Sequence, residues 1–129
     1  MGASTDRNKF GNKVLRCYLQ NNHNCTPINK KQLEIEGIKC QNTLTEWYNS
    51  LVSENKNVEN LGISIVTPPG VTKMILEEGL SLGIKNYFLQ PGTYDNETKE
   101  FLLLQRAGAG FDFNVVKGCV LIDLGFRDN

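Results

Sequence analysis

A chain of 129 residues favours one domain over two and is long enough to bury one real core. Forty per cent of the residues are hydrophobic and 22% charged, which excludes a disordered tail, and no apolar run approaches the ~20 residues of a membrane helix. Lysine plus arginine and aspartate plus glutamate each total 14, so no basic face for wrapping nucleic acid is expected, although a local anion site fits.

Cys17, Cys25, Cys40 and Cys119 form no C-x-x-C pair, and with His23 as the single histidine no zinc spacing can be written. The start of the chain lacks a charged-then-apolar signal, so a cytoplasmic protein with reduced thiols is expected. The sequons at Asn24 and Asn96 are then chance matches. Met1-Gly2 opens like a myristoylation signal but carries Asp6 where Ser or Thr is required.

Along the chain, Val14, Leu15, Tyr18 and Leu19 share one stripe of a helix predicted over Asn12 to Leu19. Cys25 to Ile28 reads as a short extended segment, with Pro27 marking a strand end. Leu44 to Val52 predicts a second helix, and the polar stretch Asn55 to Asn60 a turn. Gly62 to Thr67 is β-branched and reads as a strand, stopped by Pro68-Pro69-Gly70. The helix predicted over Val71 to Leu82 would bury Val71, Met74, Ile75 and Leu82, with Gly83 as a left-handed cap. Tyr87 to Leu89 forms a short strand ending at Gln90-Pro91-Gly92, and Asp95 caps a helix running through Phe101 to Leu104. Val115-Val116 opens a last strand, which Cys119 to Leu124 either prolongs or packs against.

Strands alternating with helices at this spacing define a single mostly parallel α/β domain over residues 1–129. Ligands of such sheets lie beyond the carboxyl ends of the strands. That singles out four loops: Gly2 to Gly11, Asn29 to Glu36, Thr67 to Gly70 and Gln90 to Tyr94.

The first loop combines small residues, hydroxyls and the cations Arg7 and Lys9 just before an amphipathic helix. Helix-terminal N–H groups and the helix dipole favour an anion there, and the cations could bond a pyrophosphate. Ser4 and Asp6 read equally well as turn and capping residues. The loop is neither G-x-G-x-x-G nor a Walker loop. The second strand ends in Asn29, Lys30 and Lys31, not in the carboxylate that holds an NAD ribose, which favours a 3′-phosphorylated ADP group or NADP. Thr67-Pro68-Pro69-Gly70 and Gln90-Pro91-Gly92 read either as plain turns or as walls of one crevice.

Taken together, Gly2-Ala3-Ser4, Lys9-Phe10-Gly11, Pro27-Ile28-Asn29, Glu36-Gly37, Thr67-Pro68-Pro69, Leu89-Gln90-Pro91-Gly92 and Cys119 resemble the CoA-binding domain family. Its members are small Rossmann-like proteins related to the N-terminal domain of the succinyl-CoA synthetase alpha subunit. The resemblance implies a doubly wound sheet that binds CoA or an acyl-CoA and carries no chemistry itself. It implies pyrophosphate contacts from Gly2, Ala3, Ser4, Arg7, Lys9 and Gly11. Pro27, Ile28 and Asn29 would border the adenosine, with Lys30 near the 3′-phosphate, and Thr67, Pro68 and Pro69 would line the path to the pantetheine arm. Family members lead into Gly-Ala-Ser from an apolar first strand, whereas here only Met1 precedes Gly2. The sheet is therefore expected to lack that strand, through truncation or because another segment, Cys119 to Leu124, takes its place. Gln105 to Asn114 forms a lengthened approach to the last strand.

Catalysis is the weaker expectation, because His23 lies in a polar turn and no acid–base pair assembles around it. Cys17 and Cys25 read as core residues, and Glu77-Glu78 as a solvated face. The alternative function is an NAD(P)-binding oxidoreductase-like domain, and a protein partner is compatible with either reading.

Overall fold

The structure is a computed structural model that describes residues 1–108 and 110–128. Its elements in chain order are α1 (Phe10–Gln20), β1 (Glu34–Ile35), β2 (Ile38–Lys39), α2 (Leu44–Ser53), β3 (Gly62–Ile65), α3 (Pro69–Ser81), β4 (Asn86–Leu89), α4 (Asn96–Gly108) and β5 (Asn114–Lys117). A single wide helical turn, Leu121–Gly125, ends the chain's regular structure.

Strands β3, β4 and β5 form a parallel sheet in that order, pairing Ile63 with Tyr87, Ile65 with Leu89 and Tyr87 with Val115. Because side chains alternate across a strand, Ile63, Ile65, Tyr87 and Leu89 all face one side, where α2, α3 and α4 cover them. Phe88 and Val66 face the other side and meet Val14, Cys17 and Tyr18 of α1 and Val120 of the final segment. Helices thus cover both faces, as a Rossmann-like α/β fold requires. The β1–β2 hairpin, too short to be read from periodicity, packs Ile35 against Leu15 and Cys40 beside α1.

Local chemistry sets the helix ends. The Thr43 hydroxyl accepts from the Glu46 amide at 3.1 Å to cap α2, and Asp95 accepts from the Thr98 amide at 2.9 Å to start α4. Helix α3 ends in a Schellman motif: Gly83 sits at φ +82°, its amide bonds Leu80, and the Ile84 amide bonds Gly79. The buried face of α3 differs from the expected one. Thr72, Ile75, Leu76 and Gly79 face inward, while Val71 and Met74 are exposed. Apolar residues surround α3, so periodicity cannot choose the face; Gly79 decides it, because the Tyr87 ring lies across that glycine. Glu78 also departs from the solvated face expected of it. Its carboxylate accepts from the Thr45 amide at 3.0 Å and the Thr45 hydroxyl at 2.6 Å, tying α3 to the start of α2.

The place of a further strand is taken only at its last residue. The Met1 ammonium donates to the Ser64 carbonyl at 2.9 Å, and the Val66 amide donates to the Met1 carbonyl at 3.0 Å. Alternation along β3 leaves the Gly62 carbonyl and the Ser64 amide on the same open edge. Beside that edge lies a cavity of about 460 Å³ lined by Tyr18, Cys25, Ile28, Leu44, Trp47 and Ile63, among others. Cys119 to Leu124 does not fill it, since Leu121–Gly125 coils into its helical turn against α1 instead. Of the long approach expected over Gln105 to Asn114, residues to Gly108 extend α4, and Ala109 lies outside the described residues.

Candidate functional site

From Met1 the chain leaves β3 at once. Gly2 adopts φ +88°, where a side chain would run into the Val66 carbonyl and the Thr67 methyl. Gly11, in the first turn of α1, packs directly against the Gly2 carbonyl and has no room for a Cβ. These two glycines bring loop, strand end and helix start together, the function small residues serve where backbone must approach a ligand.

Between them the loop is held from within. The Asn29 side chain donates to the Ala3 carbonyl at 3.1 Å, Asn12 to the Ser4 carbonyl at 2.8 Å and Arg16 to the Arg7 carbonyl at 2.8 Å. Asn12 and Arg16 are buried, so these carbonyls are tied from the protein side. The Ser4 hydroxyl accepts from the Asp6 amide at 3.1 Å and the Asp6 carboxylate from the Asn8 amide at 3.0 Å. Both therefore shape the turn, one of the two roles expected of them. The amides of Ala3, Ser4, Thr5, Phe10 and Gly11 have no partner among the described residues. Helix α1 starts without a side-chain cap or an acidic residue in its first turn, and so does α3 after Pro68. Helices α2 and α4, by contrast, carry Thr43 and Asp95 at their starts and Glu46 and Glu97 in their first turns. Carbonyls turned inward, amides left over and an uncapped helix dipole together favour an anion at the Gly2–Gly11 loop.

The expected contacts fall into separate groups. Arg7 reaches Glu36 in a 3.2 Å ion pair, and Lys9 is exposed at the mouth of α1. Pro27 and Ile28 are buried, and their backbones pair with Gln41, so they carry Asn29 into place from the interior. Both ends of the Asn29 side chain are engaged, the amide with Ala3 and the oxygen with the amides of Lys31 (2.8 Å) and Gln32 (3.0 Å). Lys30 is exposed in this turn. The Thr67 hydroxyl lies 2.8 Å from that of Thr72, which also donates towards the Thr67 and Pro68 carbonyls. Gly70, above this turn, faces open space. Gln90 is fully buried, its side-chain oxygen accepting from the Val120 amide at 3.0 Å, while its Nε2 has no partner among the described residues.

Sequence reasoning missed Asn12, Arg16 and Thr72. The available signal was polar side chains at helical spacing among apolar neighbours: Asn12 and Arg16 stand one turn apart on α1. Burial pushes the thiols of Cys17, Cys25 and Cys40 up, away from the reactive thiolate. No group of three metal-ligating side chains occurs among the described residues, and no helix there is long and apolar enough to cross a membrane.

A parallel sheet with helices on both faces, and a glycine loop at the opening of its first helix, defines a Rossmann-like α/β domain. The family model for the CoA binding domain matches residues 1–124, and the chain belongs to that family. Solved structures share the fold. A conserved hypothetical protein from Pyrococcus furiosus is 27% identical with a TM-score of 0.72, over 95% of this chain and 93% of that one. A hypothetical protein from Pyrococcus horikoshii OT3 is 20% identical with a TM-score of 0.69, over 95% and 79%. Prb, the PH1109 protein redesigned for binding, is 20% identical with a TM-score of 0.67, over 95% and 75%. No curated protein matches the chain significantly.

Proposed function

We propose that this chain is a non-catalytic module that binds CoA or an acyl-CoA, with the diphosphate on the Gly2–Gly11 loop. The observation that carries the reading is the division of that loop's backbone: its carbonyls are held by Asn12, Arg16 and Asn29, and its free amides adjoin the uncapped start of α1. Gly2, Ala3, Ser4 and Gly11 supply close backbone approach, with Arg7 and Lys9 as neighbouring cations. Asn29, seated on Pro27 and Ile28, sets the adenosine side and presents Lys30 to a 3′-phosphate. Thr67, Pro68 and Pro69, braced by Thr72, border the way to the pantetheine arm. The hydroxyl of Ser4 and the carboxylate of Asp6 are engaged in turn bonds, which supports binding over acid–base chemistry in this loop. The likeness to the N-terminal domain of the succinyl-CoA synthetase alpha subunit extends to this binding role alone. A cytoplasmic setting suits the free thiols of Cys17 and Cys40.

Calorimetric titration with CoA, dephospho-CoA, NADP and NAD tests the reading. CoA should bind tightest, and dephospho-CoA more weakly for want of the phosphate that Lys30 meets. A response to NADP with none to CoA would transfer the site to the NAD(P)-binding, oxidoreductase-like class.

A further inference from the structure

Arg16 is an arginine in the middle of α1 with 5% of its surface exposed, and it touches three separate parts of the chain. Its Nε donates to the Asn12 side-chain oxygen at 2.7 Å, its Nη2 to the Arg7 carbonyl at 2.8 Å and its Nη1 to Asp128 at 3.0 Å. The guanidinium also lies over the Phe126 ring, 5.1 Å from its centroid. Asn12 passes the connection on, donating to the Ser4 carbonyl and, at 3.2 Å, to Glu36, the partner of Arg7. One planar cation with a fixed fork of donors thus joins the final segment of the chain to the anion loop.

That segment is strapped along α1. Gln20 donates to the Arg127 carbonyl at 2.6 Å and accepts from the Arg127 amide at 3.0 Å, and Asn21 donates to the Gly125 carbonyl at 3.0 Å. Asp128 is further approached by Lys13 at 3.6 Å. A buried guanidinium needs a counter-charge and filled donors to remain in place, and the strap supplies both a carboxylate and an aromatic face.

We infer that Arg16 is a positioning residue for the Gly2–Gly11 loop, and that residues 125–128 hold it in the geometry that turns the loop's carbonyls inward. Strap and loop are therefore coupled, and an anion on the loop tightens the strap in turn. The consequence for affinity rests on the CoA reading above; the consequence for loop order does not.

Amide hydrogen exchange of the ligand-free protein separates the two. In Asp128→Asn and Phe126→Leu, exchange of the hydrogen-bonded loop amides of Asp6, Asn8 and Lys9 should accelerate by roughly fivefold or more, with the core amides of Ile65, Leu76 and Leu89 unchanged. Asp128→Glu should restore slow exchange. CoA affinity should fall in step with loop protection across the variants. Unaltered loop exchange in both Asp128→Asn and Phe126→Leu would overturn the inference, as would loss of protection spread evenly over the core. Faster loop exchange in a chain that binds no CoA upholds the positioning role and removes only the ligand assignment.

Discussion

The carbonyl of Gly2 occupies the space in which a side chain on Gly11 would begin. Gly11→Ala should therefore push the loop off the start of α1. A loss of about 1–3 kcal/mol is expected from overpacking alone, measured by urea denaturation, together with loss of CoA binding. Gly70→Ala is the contrast, because a Cβ there meets open space; it should be neutral or stabilise by about 0.4–1 kcal/mol.

A second glycine is coupled to an aromatic. A Cβ on Gly79 would fall 2.5 Å from the Tyr87 hydroxyl, which donates to the Ile84 carbonyl at 2.9 Å. Gly79→Ala and Tyr87→Phe should each destabilise, but the double variant should be less unstable than the sum of the two. Additive values in denaturation midpoints would show that the ring moves aside without cost.

Burial holds the Met1 ammonium below its usual value of 8.0. The unfolded chain then binds the extra proton more readily, so stability should rise with pH through the window from the depressed folded value up to 8.0. Acetylating the Met1 amine keeps a donor for Ser64 and removes the charge. Thermal melts of protein retaining Met1 should show this pH dependence, and acetylated protein should lose it.

Asp95 behaves in the opposite sense. Hydrogen bonds from Thr98 hold its carboxyl below the ordinary 3.8, so its stabilisation is complete above that value and disappears as pH falls through the lower folded value. Asp95→Asn can keep the cap at neutral pH, and its acid unfolding curve should lose the part of the slope that this carboxyl contributes.

In the core, Leu76 is fully buried between α3 and the sheet. Leu76→Ala should cost about 2–5 kcal/mol, read from the urea midpoint at constant slope.

Signals that act over a few neighbouring residues are legible in the amino-acid sequence alone. The β-branched run at Gly62, the cap at Gly83, the Asp95 start of α4 and the order of the loops all follow from local chemistry, and together they define the fold. Features decided by distant neighbours are not legible in this way. Val71 and Met74 look like core until Tyr87 claims the Gly79 face. The pairing of Pro27 and Ile28 with Gln41, thirteen or more residues later, leaves no local mark either. Arg16 gives little sign in the sequence that Asp128, 112 residues later, will balance it.

The slot beside β3 bears on how the protein is handled at the bench. A segment placed ahead of Met1 would start beside the open edge of β3, where the Gly62 carbonyl and Ser64 amide have no partner among the described residues. An affinity tag ending in serine and glycine and one ending in valine and isoleucine would thus yield materials with different sheets. Melting points measured on differently tagged preparations should be compared only after the tag has been cleaved to the same residue.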